Sequence, residues 1–124
     1  MKKILLIDDD PDVIAVLQVL LKKNGYEVAS ASREEEAYNQ VKFFKPDLIV
    51  LDVLLSGVDG RIICKKLKNS TASKHIPIIM FSAHPGAQKN MEEFGADDFI
   101  SKPFESNKLL ERIEVQLSNQ KQMQ

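Results

Sequence analysis

The sequence predicts an α/β domain: a five-stranded parallel sheet in the order 2-1-3-4-5, doubly wound, with five helices over its two faces. Two patterns carry that reading. Short unbroken apolar runs recur along the 124 residues, each suited to a strand buried on both sides. Stretches with helical spacing separate them, and such alternation argues for a parallel sheet covered on both faces. A third observation is chemical, because four of the runs are followed by residues that carry charge or donate hydrogen bonds.

Ile4 to Ile7 forms strand 1 and ends in Asp8, Asp9 and Asp10. Asp10 followed by Pro11 opens helix 1 as an N-cap with proline at the first helical position. Ile14, Leu17 and Leu21 give that helix its inner face, and Gly25 stops it. Glu27 to Ala31 is a weaker strand 2. Ser32 and Glu35 have the form of a capping box for helix 2, which runs to about Phe43. Pro46-Asp47 breaks the chain before strand 3, Leu48 to Leu51, which Asp52 ends.

A loop with Gly57 follows, then helix 3 after Asp59-Gly60, with Ile63, Cys64 and Leu67 inward. Pro77 precedes strand 4, Ile78 to Phe81, which delivers Ser82. A short helix 4 is expected around Gln88 to Phe94, stopped by Gly95, and strand 5 spans Asp98 to Ser101. Lys102-Pro103-Phe104 turns the chain into helix 5, with Leu109, Leu110, Ile113 and Leu117 inward. The result is a flavodoxin-like arrangement.

Composition narrows the function. One domain of this length buries a proper core. A net charge of -1 gives no footprint for nucleic acid or an anionic membrane, and no apolar run approaches a transmembrane span. No signal-peptide pattern precedes the aspartates. The single cysteine, Cys64, excludes an internal disulfide, fits a cytoplasmic location and reads as a buried, inert thiol.

In a parallel sheet Asp8, Asp9, Asp52, Ser82 and Lys102 all fall on one edge, and strands 1 and 3 meet at the topological switch point. Unit charges about 4 Å apart repel by roughly 4 kcal/mol at an effective dielectric near 20. Three converging carboxylates therefore call for a compensating cation, a raised pKa, or both. Hard oxygen ligands suit Mg²⁺, Lys102 suits a phosphoryl oxygen, and Ser82 adds a hydroxyl. Asp52 is thereby arranged as a nucleophile for a phosphoryl group.

The segments ILLIDDDPDV, PDLIVLDVLLSGVDG, IIMFSAH and GADDFISKPF closely resemble the CheY-like receiver domain of two-component response regulators. The resemblance covers about Lys2 to Leu117, so residues 1–117 are read as the receiver domain and 118–124 as a polar C-terminal tail. It implies Asp52 as the phosphorylation site, loaded from a histidine kinase or a histidine phosphotransfer protein of a two-component system or phosphorelay. It further implies Mg²⁺ held by Asp9 and Asp52 directly, by Asp8 through water, and by the backbone carbonyl of Leu54. Ser82 and Lys102 would bind the phosphoryl oxygens, Lys102-Pro103 would be cis, and Phe99 would be the aromatic switch that turns inward with Ser82.

Such a module is a signalling domain, not an enzyme, with self-phosphorylation and self-dephosphorylation its only chemistry. It switches binding of a downstream protein target that the sequence does not name. Three positions depart from the family pattern. Ser56 replaces a usual proline, Phe99 lacks a phenol hydroxyl, and Ser82 to Lys102 is about two residues short, which leaves helix 4 short. His84 is read as a solvated loop histidine, with a role at the site mouth as the alternative.

A small Mg²⁺-dependent phosphohydrolase with an aspartyl-phosphate intermediate is the rival enzyme. It needs an acid two residues past the nucleophile, where Leu54 stands. A flavodoxin-type carrier would want backbone amides, not three acids, after strand 1. A natural single-domain regulator, a phosphorelay intermediate and a receiver cut from a longer protein all fit, with Met1 favouring a native amino terminus. No output domain is visible.

Overall fold

The computed structural model describes residues 1–55, 57–83, 86, 89 and 91–122, with side chains up to residue 119. Strands β1 (Lys3–Ile7), β2 (Glu27–Ala31), β3 (Leu48–Asp52), β6 (Ile78–Ser82) and β7 (Asp98–Ser101) form one parallel sheet in the order β2-β1-β3-β6-β7. These are the five expected strands, in the expected order. Between β3 and β6, Leu54–Leu55 (β4) and Val58–Asp59 (β5) make a small antiparallel hairpin in place of the expected loop.

The strands separate their side chains by the twofold period of a pleated sheet. Leu5, Ile7, Ile49, Leu51, Ile78 and Met80 pack on one face with Ala37, Ile63, Cys64 and Leu67. Those last four belong to α2 (Glu34–Phe43) and α3 (Gly60–Lys68). Ile4, Leu6, Leu48, Val50, Ile79 and Phe81 pack on the other face. There they meet Leu17 and Leu21 of α1 (Pro11–Lys23) and Leu109, Ile113 and Leu117 of α4 (Ser106–Gln122). Right-handed crossovers place the helices this way, because the chain reverses its direction across the sheet after β2. Fully burying such aliphatic side chains stabilises the fold by roughly 1.5–3 kcal/mol each before entropy is counted.

Local capping follows the sequence with one shift. Asp10 accepts a hydrogen bond from the Asp12 amide at 2.9 Å, capping α1 with Pro11 in its first turn. Gly25, at φ 90°, closes α1: its amide bonds Lys22 O while the Tyr26 amide bonds Leu21 O. At α2 the partner of Ser32 is Glu36, not Glu35. Glu36 Oε1 accepts from the Ser32 hydroxyl at 2.7 Å and from its amide at 3.3 Å. The helix starts one residue later than the box implied, so the acid one place further on faces back.

Among the described residues there are four α-helices, not five. Met91–Phe94 is a 3-10 turn in place of the expected helix 4. Gly95, at φ 80°, ends it after one turn, and its only apolar residues are Met91 and Phe94. Gln88, where that helix was expected to start, lies outside the described residues. So do Ser56 and His84. Most of the polar stretch after Leu117 continues α4, whose backbone runs to Gln122. No helix among the described residues is long and apolar enough to cross a membrane.

Candidate functional site

Register brings the acids together. Ile7 pairs with Leu51, so Asp8 and Asp52, each one residue further along, stand side by side at the carboxyl edge. Asp8, Asp9 and Asp52 each offer a carboxylate oxygen, and these atoms lie within 4.8 Å of one another. Asp8 is 1% exposed and Asp52 8%, while Asp9 is more open to solvent. Asp8 is held by its own backbone, donating to Ala31 O, and its Oδ1 accepts from the Asp10 amide at 2.9 Å.

Lys102 enters from the end of β7. Its Nζ lies 3.4 Å from Asp8 Oδ2 and 3.7 Å from Asp52 Oδ2. Its backbone amide donates to Ser82 O at 2.8 Å, tying the lysine to the end of β6. The Lys102-Pro103 peptide is cis, as expected from the sequence. Ser82 is buried and is the last residue of β6, register-paired with Ser101. Asp8, Asp9, Asp52, Ser82 and Lys102 thus reach the same edge.

Burial is the main cause that pushes the Asp52 carboxyl up to about 6, and the neighbouring Asp8 charge pushes in the same direction. Lys102 and the Leu54 amide, which donates to Asp52 Oδ1 at 3.3 Å, pull it back, and Asp9 adds a smaller push upward. At neutral pH Asp52 is therefore an anion held at a cost.

The donor set fits Mg²⁺. Three carboxylates against one ammonium group leave two formal negative charges, and every ligand atom is a hard oxygen. The Leu54 side chain is 67% exposed beside this cluster and brings no acid to it. Phe99 is 8% exposed and packed in the core with Met80, so it lies inward. Cys64 is fully buried, as read from the sequence, and burial pushes its thiol up to about 12.

Two contributors went unnoticed in the sequence. Lys102 Nζ sits 4.3 Å from the centroid of the Phe81 ring, whose face steadies the ammonium above the site. Gly60 opens α3 against the end of β3: a Cβ there would collide with Asp52 O. The amide of Gly60 also donates to Val53 O. The Asp59-Gly60 pair was the available signal, since an aspartate N-cap followed by glycine marks a helix start with room for no side chain. Asp59 does cap α3, accepting from the Arg61 amide at 2.9 Å.

The family model described as the response regulator receiver domain matches residues 4–114. The chain belongs to the response regulator receiver family. It is 39% identical over 116 residues to the alkaline phosphatase synthesis transcriptional regulatory protein PhoP of Bacillus subtilis, covering 92% of this chain and 48% of that protein. It is 36% identical over 118 residues to the phosphate regulon transcriptional regulatory protein PhoB of Pseudomonas aeruginosa, covering 94% and 52%. The receiver thus spans about half the length of the curated relatives it matches.

Among solved structures, a putative response regulator from Chloroflexus aurantiacus superposes with a TM-score of 0.88 at 36% identity, covering 94% of this chain and 98% of that one. A CheY-like receiver domain protein from Methanospirillum hungatei gives a TM-score of 0.90 at 26% identity over 100% and 99%. The resemblance read from the motifs is borne out. This is a receiver domain of the two-component kind.

Proposed function

We propose that Asp52 accepts a phosphoryl group from a phosphohistidine on a sensor kinase or phosphotransfer protein, and that the resulting aspartyl phosphate switches binding of a downstream protein. The reading is carried by one observation: Asp52 is buried beside Asp8, with Lys102 Nζ within 4 Å of both. An Asp52 oxygen attacks phosphorus, the P–N bond to the donor imidazole breaks, and its electron pair stays on that nitrogen.

Lys102 then exchanges its carboxylate partner for a phosphoryl oxygen, and the Ser82 hydroxyl donates to another. Asp9, Asp52 and the Leu54 carbonyl would hold Mg²⁺, with Asp8 acting through water. When bound, the ion would neutralise charge on the transferring group.

Access for the donor is supported by α1. Val16 and Val19 are 67% and 69% exposed on the helix that begins at the acidic cluster. Apolar residues on that outer face offer a surface for a partner presenting its histidine to the site. Phe99 answers the Ser82 movement from its inward position. The module acts in the cytoplasm, through protein partners and not through nucleic acid or a membrane, and has no substrate of its own. Residues 1–117 form the working unit.

The experiment is incubation with Mg²⁺ and acetyl phosphate followed by intact mass. Wild type gains the mass of one phosphoryl group and Asp52→Asn gains none. Equal uptake by both proteins would refute the assignment.

A further inference from the structure

We propose that the groove between the carboxyl-terminal ends of α2 and α3 binds a small amphiphilic anion, an apolar or aromatic body bearing one acidic group. The groove encloses about 680 Å³, within the range of small-molecule sites. It opens on the sheet edge opposite the acidic cluster, since Pro46 precedes β3 and Ile76 precedes β6. Val41, Pro46, Leu67 and Ile76 supply an apolar lining, and all but Val41 are buried.

Charge around this lining is one-sided. Lys42, Lys45 and Lys66 line the groove against a single carboxylate, Asp47, whose Oδ2 accepts the Lys3 amide at 2.8 Å. Lys66 is engaged with Glu34 at 3.2 Å, and Lys42 rests over the Phe43 ring at 5.4 Å. Among the described residues, neither Lys42 nor Lys45 pairs with a carboxylate. The whole protein carries a net charge of -1, so this cationic rim is local.

The backbone sets where Lys45 stands. Lys45 has φ 54°, and among the described residues it is the one non-glycine in the left-handed region. It sits just past α2, where glycine or asparagine ordinarily closes a helix. Its amide donates to Gln40 O at 3.3 Å, closing the helix, and its side chain lines the groove.

The occupant is small. A partner helix would need anchors over several turns. Here α2 lines the groove with Tyr38, Val41 and Lys42, about one turn, and α3 with Lys66 and Leu67 alone. One or two rings carrying a carboxylate, sulfonate or phosphate match that extent.

The test uses 8-anilinonaphthalene-1-sulfonate as the anionic probe and N-phenyl-1-naphthylamine as its uncharged counterpart, with amide chemical shifts and fluorescence as readouts. The anion is expected to bind saturably at one site, moving amides of residues 38–47 and 66–76. The double variant Lys42→Ala, Lys45→Ala should weaken binding by about tenfold. Lys45→Gly should weaken binding while raising the urea midpoint, a combination that a purely structural lysine would not produce. Unsaturable binding, shifts elsewhere, equal affinity for the uncharged compound, or unaltered binding by the variants would overturn the proposal. So would groove shifts that grow with protein concentration alone, which would put a second copy there.

Discussion

Replacing Asp52 by asparagine should stabilise the metal-free protein, although the residue lies at the heart of the site. The Asp52 carboxyl is pushed from an ordinary 3.8 to about 6, chiefly by burial and by Asp8. A raised acid holds its proton more tightly in the folded state than in the unfolded one. Its contribution is fully present below pH 3.8 and is lost as pH rises through about 6. A difference of about two pKa units corresponds to roughly 3 kcal/mol, and solvent access to the site mouth reduces this to about 2 kcal/mol. Asparagine keeps the shape and the acceptor for the Leu54 amide, and removes the charge.

Urea unfolding in chelator, at pH 8 and at pH 4, measures the effect. The Asp52→Asn midpoint should exceed that of wild type by about 2 kcal/mol divided by the m-value at pH 8, and the gap should narrow greatly at pH 4. An asparagine variant less stable than wild type at pH 8, or a gap independent of pH, would refute the electrostatic reasoning.

Asp9→Ala should abolish the rise in melting temperature that Mg²⁺ produces, yet leave the metal-free protein at least as stable, because one repelling charge is gone. Severe destabilisation without metal would assign Asp9 a structural role. Leu54→Asn should shorten the life of the phosphorylated form, since a polar group two residues past Asp52 can orient attacking water whereas exposed Leu54 cannot. Phosphate release from purified protein with excess Mg²⁺ checks this, and equal rates would sink the argument. Gly60→Ala should destabilise the protein by at least about 3 kcal/mol, because its Cβ would collide with Asp52 O. A urea midpoint near that of wild type would show that α3 can shift without cost.

The fold was legible because burial on both faces leaves runs such as Leu48 to Leu51 with no polar residue, and Pro46 and Pro77 punctuate them. The site was legible for the same reason: parallel strands send their last residues to one edge, so strand ends alone brought together Asp8, Asp52, Ser82 and Lys102. What escaped depends on distances between elements. The Phe81 ring under Lys102 cannot be read from a strand that looks like core. The clash awaiting a side chain at Gly60 needs the approach of α3 to β3. The hairpin of β4 and β5 has two residues a side, too few to establish a period. Of the expected helix 4, Met91–Phe94 forms a single 3-10 turn, because only Met91 and Phe94 in it are apolar and Gly95 ends it. The groove behind Lys45 rests on a backbone angle no residue pattern announces.

The most direct measurement treats the acetyl-phosphate-loaded protein with borohydride, which reduces an acyl phosphate to an alcohol, and then maps peptides by mass. Reduction is expected at Asp52 alone, converting it to homoserine, with Asp8, Asp9 and Ser82 unmodified. Homoserine at Asp8 or Asp9, or a borohydride-resistant phosphate on Ser82, would contradict the assignment of Asp52 as the phosphoryl acceptor.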